Sequence, residues 1–100
     1  MDTVDLASQI PGLRRDCLKI MSSFDSKAND PGVRDYLREY HLQEAREFWK
    51  EFERIDKKLT VEMNLLAMIR KPSNARALRL FAEMKALRDQ YWSQNTSPFS

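Results

Sequence analysis

Residues 33–70 contain neither glycine nor proline, an unbroken run of 38 residues. Those two residue types are the strongest interrupters of a helix. A run of this length therefore reads as one helix about 57 Å long at 1.5 Å per residue, several times the length of an ordinary globular helix. The remaining chain is almost as poor in breakers. Only two glycines and four prolines occur in 100 residues, with 42% hydrophobic and 32% charged side chains, which leaves few turns for a sheet and predicts an all-α fold.

Projected at about 100° per residue, Leu37, His41, Phe48, Phe52, Ile55, Leu59, Met63 and Leu66 fall on one face of the long helix, with near-heptad spacing in its second half. The opposite face carries Glu39, Gln43, Arg46, Lys50, Glu53, Lys57 and Asn64, with Arg54 at its edge. A chain of this size buries only about two thirds of its unfolded surface. It is therefore expected to leave so long an apolar stripe for a second copy. The predicted dimer interface consists of Leu37, Phe48, Phe52, Ile55, Leu59, Met63 and Leu66.

Two further helices flank the central one. Over residues 4–24, Leu6, Ile10, Leu13, Cys17, Ile20, Met21 and Phe24 recur at helical spacing, while Pro11 predicts a helix start or break near Ile10. The pattern fades over residues 22–27. Asn29-Asp30-Pro31-Gly32 then supplies a turn, with Asp30 as a candidate cap and Pro31 suited to the first position of the long helix. Lys71-Pro72-Ser73 ends that helix, and a third is expected over residues 73–92, with Leu78, Phe81, Ala82, Met84, Leu87 and Tyr91 inward. Residues 1–92 thus form one helical domain, and the polar residues 93–100 are expected to be a disordered tail.

Several classes of chemistry are excluded. Cys17 is the only cysteine and His41 the only histidine, so neither an internal disulfide nor the usual Cys/His zinc site can be assembled. Cys17 lies in an apolar stripe and reads as a small hydrophobe. His41 reads as a packed core-edge residue. No glycine-rich phosphate loop and no spaced acid pair is present, so neither an enzyme nor a bound cofactor is expected. No apolar run approaches the roughly 20 residues needed to cross a bilayer, and the acidic start Met1-Asp2-Thr3-Val4-Asp5 is unlike a basic signal peptide, which predicts an intracellular, soluble chain.

The net charge of +2 conceals an uneven distribution. Residues 1–33 and 34–69 each carry a net charge of −1, whereas residues 70–100 carry +4. Arg70, Lys71, Arg76, Arg79, Lys85 and Arg88 cluster around the turn into the third helix. With Arg46, Lys50, Arg54 and Lys57 they make a linear basic track, which fits a linear polyanion. The plainer alternative is a solvated face in which Glu39, Glu47, Glu51 and Glu53 pair with neighbouring bases one helical turn away. Phe48, Trp49 and Phe52 could form a base-stacking platform, but two of the three lie on the apolar stripe, so core packing is the better reading, with Trp49 to one side.

Ile10-Pro11, Asp30-Pro31-Gly32-Val33-Arg34 with Leu37, Tyr40-His41, Lys58-Leu59-Thr60-Val61, and Lys71-Pro72-Ser73 with Ala77-Leu78 occur in this order across residues 6–78. In identity and spacing they resemble the small RNA-silencing suppressors of insect nodaviruses, which are dimeric binders of double-stranded RNA. The stretch between His41 and Lys58 is longer than in that family, so only Lys71, Pro72 and Ser73 carry over by motif as RNA contacts. Geometry adds Gln43, Arg46, Lys50, Arg54, Lys57, Asn64, Arg70 and Arg76. The resemblance implies an antiparallel homodimer with a four-helix core, lying along the duplex and touching backbone rather than bases. It further implies shielding of long duplexes from dicing, sequestration of short interfering duplexes, the host dicing nuclease as a further partner, and a place in the cytoplasm of an infected host cell. A reading from a different class is a dimeric helical adaptor or chaperone that binds a partner helix.

Overall fold

The computed structural model describes residues 1–69 and 73–96, with side chains to residue 93, and consists of three α-helices: α1 (Thr3–Ala28), α2 (Asp35–Ile69) and α3 (Ala75–Thr96). Among the described residues there is no strand. The helices run up, down and up, each packed on both others. Thirty-five residues of α2 rise about 52 Å, and the molecule measures 53 × 23 × 16 Å. The breaker-free run thus sets the long dimension of a rod.

α1 is continuous through Pro11, which corrects the expected break. Proline in a helix interior costs about 3 kcal/mol. Leu6 and Ile10 on its N-terminal side are both buried, and burying such a side chain contributes about 1.5–3 kcal/mol. Those two burials offset the proline. At the start of the helix, the carboxylate of Asp2 accepts from the Asp5 amide at 2.8 Å, satisfying one of the free N–H groups of the first turn. At its end, Arg38 donates to the Ala28 carbonyl at 3.0 Å, a cation placed where the helix dipole favours one. The helix also continues through residues 22–27, where the periodic signal fades, because Phe24 and Ala28 are still inward.

Asp30 does not cap α2. Its Oδ1 accepts from the Gly32 amide at 2.9 Å and its carbonyl accepts from Val33 at 3.0 Å, so both acceptors close the turn. The first hydrogen bond of α2 runs from the Arg38 amide to the Arg34 carbonyl, and Pro31 lies in the turn rather than at the first helical position. α3 begins with the Ala75 amide donating to Ser73 Oγ at 3.2 Å. Asn74 Nδ2 ties this end to α1 through the Met1 carbonyl at 3.2 Å and Thr3 Oγ1 at 3.4 Å. α3 runs on to Thr96, into the segment expected to be a disordered tail, and residues 97–100 lie outside the described residues.

The core overturns the expectation that the chain leaves the α2 stripe uncovered. Phe48, Phe52, Ile55, Leu59 and Leu66 are all buried, packed against Leu6, Ile10, Leu13, Cys17, Ile20 and Phe24 of α1 and Ala77, Leu80, Phe81 and Met84 of α3. Two covering helices of 26 and 22 residues are long enough to roof most of it. Met63 is half-buried, and Leu37, at 37% exposed, lies where α2 has only begun. On α3, Phe81 and Met84 are inward as expected and Leu78, Leu87 and Tyr91 are half-buried, but Ala82 is exposed and Ala77 and Leu80 take inner places. Rings of Phe24, Phe48, Phe52 and Tyr91 form an aromatic cluster, with neighbouring centroids 5.1–6.3 Å apart. Burial pushes the Cys17 thiol up to about 12, so it is a neutral, inert filler of the core.

Candidate nucleic-acid interface

Because α1 and α3 cover the same broad side of α2, its opposite side is left to solvent along its whole length. Arg46, Lys50, Arg54, Lys57 and Asn64 are all exposed there, as is Gln43. The α2 part of the track drawn from the sequence thus lies on a helix whose other face is fixed by the core, whereas Lys85 and Arg88, drawn into the same track, line a groove between α1 and α3 instead. No glycine or proline interrupts this helix to give a sharp kink.

The charges on that row are not equivalent. Arg46 and Lys50 have no ion-pair partner among the described residues. Arg54 is bonded to Glu51 at 3.0 Å and lies 4.0 Å from Glu83 on α3, and the Glu51 hydrogen bond raises its pKa. Lys57 pairs with Glu53 one turn back at 3.0 Å, and the Gln43 amide donates to Glu47 at 3.2 Å. Arg76 reaches towards Glu62 at 3.8 Å. Ser73 is exposed, but its hydroxyl serves the α3 start. Arg70, Lys71 and Pro72 lie outside the described residues. Ion pairs with carboxylates thus engage Arg54 and Lys57, whereas Arg46 and Lys50 form none among the described residues.

Lys58, which lies outside the row drawn from the sequence, and Arg79, which the sequence places in the basic cluster at the turn, extend the surface. Lys58 and Arg79 are exposed, with no ion-pair partner among the described residues, and line a groove of about 360 Å³ between α2 and α3 together with Arg54 and Arg76. Lys58 is four residues from Arg54, so one turn of spacing marks them as neighbours. Arg79 becomes their neighbour only when α3 packs on α2. Carboxylates gather further along: Glu44, Glu47 and Glu51 surround Tyr91, whose phenol is raised by burial and then by those charges.

On the α1 side of the row, Trp49 is 39% exposed, its ring 5.3 Å from that of Phe52. It borders a groove of about 560 Å³ walled by Met21, Leu42 and Ala45 and rimmed by Arg46 and Lys50. His41 is half-buried and stacks edgewise on Tyr40 at 5.7 Å. Among the described residues no cluster of metal-ligating side chains occurs and no helix is long and apolar enough to cross a membrane. No protein-family model, curated protein or solved structure matches the chain.

Proposed function

We propose that this protein binds double-stranded RNA through its backbone, independently of sequence, and acts as a viral suppressor of RNA silencing. The observation that carries the reading is the exposed row on α2, where Arg46 and Lys50 stand without carboxylate partners on a helix as long as the molecule. An A-form duplex offers phosphates and 2′-hydroxyls across a shallow minor groove and hides its bases in a narrow major groove. A rigid rod with cations along one side meets the phosphates of such a duplex without reading bases. Arg46, Lys50, Lys57 and Lys58 contact phosphate, and Gln43, Asn64 and Ser73 hydrogen-bond phosphate or 2′-hydroxyl oxygens. Coverage of the duplex denies it to the dicing nuclease in the host cytoplasm.

The reading includes an antiparallel homodimer. Tyr36, Leu37 and Tyr40 are exposed on the first turns of α2, at 66%, 37% and 58%. Two copies meet there, the end of α1 and the start of α2 from each chain making a four-helix core. Light scattering checks this. The parent is expected at twice the 11.8 kDa chain mass, and Leu37→Glu at the chain mass with its helical signal retained.

Gel shifts with a random-sequence RNA duplex, the same sequence as DNA, and single-stranded RNA test the function. Preference for duplex RNA is expected, and Arg46→Ala/Lys50→Ala should weaken it for every sequence alike. Unchanged binding by that variant would place the contact elsewhere. The adaptor reading draws on the partly apolar groove at Met21, Leu42 and Trp49, and it takes over if none of the three nucleic acids binds.

A further inference from the structure

On the side of the bundle away from the α2 row, α1 and α3 enclose a third groove, of about 470 Å³. Its walls carry Arg15 and Lys19 from α1 and Lys85 and Arg88 from α3. Arg88 is held by Asp16 at 2.9 Å and Asp89 at 2.8 Å. Arg15, Lys19 and Lys85 are exposed and have no ion-pair partner among the described residues. Asp16 lines the groove as well and neutralises Arg88, so the excess positive charge is that of Arg15, Lys19 and Lys85, and an anion entering the groove relieves their mutual repulsion.

An independent feature points to something approaching the same place. Gly12 lies in the interior of α1 and lines this groove. Glycine is among the least favourable residues in a helix interior. Two ordinary reasons for tolerating it are absent: a Cβ at Gly12 would meet no atom within 4 Å, and its backbone is ordinary helix. The space above Gly12 is open, so the missing side chain leaves room in a groove that Arg15, Lys19, Lys85 and Arg88 also line. An open floor between Arg and Lys side chains gives a phosphate oxyanion room to reach those side chains, which hold it.

We propose that the α1/α3 groove, floored by Gly12 and rimmed by Arg15, Lys19, Lys85 and Arg88, is a second phosphate-binding surface that takes the phosphodiester backbone of RNA. The choice of RNA as ligand rests on the reading of the α2 row; the groove and its glycine do not. With cations on two sides, one molecule contacts one duplex along α2 and another, or a returning strand, along α1 and α3.

Because the chain has only two glycines, the amide resonance of Gly12 is an uncluttered reporter in a nitrogen-15 NMR titration with a short RNA duplex, and Gly32 in the α1–α2 turn serves as the internal control. Gly12 is expected to shift with added duplex in the parent and in Arg46→Ala/Lys50→Ala, and to stay still in Lys19→Glu/Lys85→Glu. The last variant should also flatten the log–log salt dependence of binding by about two units. In the Arg46→Ala/Lys50→Ala background, Gly12→Leu should raise the melting temperature, leucine being a better helix former, while reducing the remaining duplex binding at least tenfold. If Gly12 stays still while the amides of Arg46 and Lys50 move, the second surface is overturned and the α2 row stands. If Gly12 moves and the α2 amides do not, the groove stands and the row falls; if neither moves, both fall. A Gly12 shift produced by poly-glutamate or anionic vesicles but not by duplex RNA also overturns the proposal.

Discussion

At the scale of single residues, adjacent positions on α2 have opposite fates. Phe48 is wholly buried, with ring neighbours on all three helices, whereas Trp49 opens to solvent beside the basic row. Truncating a packed phenylalanine removes its transfer free energy and leaves a cavity. Phe48→Ala should therefore lose about 3–5 kcal/mol, read as a shift in the urea midpoint, a large share of what a domain of this size possesses. Cys17 gives a pH-dependent counterpart. Its thiol titrates near 12 in the fold against an ordinary value of 9.0, so between those values the unfolded chain releases a proton that the folded chain retains. The unfolded state is thereby favoured, and stability should fall as pH rises above about 9, by at most about 1.4 kcal/mol per unit from this group. Cys17→Ala should show a shallower decline over the same window; equal slopes would mean the thiol plays no part.

At the scale of elements, three helices are legible because breakers and periodicity are local properties. Asn29 to Gly32 marks the first turn whichever way the helices pack, and the stripe from Leu6 to Phe24 names the inner face of α1 almost residue for residue. What covers a stripe is not local. Periodicity states that Phe48, Phe52 and Leu59 are buried, and it is equally satisfied by a second copy or by α1 and α3 of the same chain. The slip on α3, where Ala77 and Leu80 replace Ala82 as inner residues, has the same origin: alanine fits either side, and the choice is made by packing on α1 and α2. Pro11 is a further instance, since its local preference is overruled by the burial of Leu6 and Ile10. Its penalty remains stored in α1. Pro11→Ala should restore one backbone hydrogen bond and raise stability by about 1–3 kcal/mol, measured by thermal melting, and no gain would show that the proline is accommodated by means other than tertiary packing.

At the scale of the whole molecule, the same division separates the parts of the candidate interface that were legible from those that were not. The angular position of Arg46, Lys50, Arg54 and Lys57 follows from helix geometry, but their availability depends on carboxylates, one of which arrives from another helix. Glu83 belongs to α3, and only packing brings it to 4.0 Å from Arg54. A phosphate approaching Arg54 must compete with Glu51 and Glu83, whereas Arg46 and Lys50 hold no carboxylate in an ion pair among the described residues. Counterion release then predicts an uneven response. Replacing Arg46 or Lys50 by alanine should each lower the log–log salt slope of duplex binding by about one unit, and Arg54→Ala should lower it by less. Glu83→Gln removes the cross-helix competitor while keeping the shape of the side chain, so it should tighten duplex binding, most visibly at low salt, where the Debye length exceeds about 10 Å and exposed charges act on one another most strongly. Equal losses at Arg46, Lys50 and Arg54, with no gain at Glu83, would mean that the ion pairs of the free protein dissolve on contact with the duplex and that total charge along the rod, rather than the availability of each cation, governs binding.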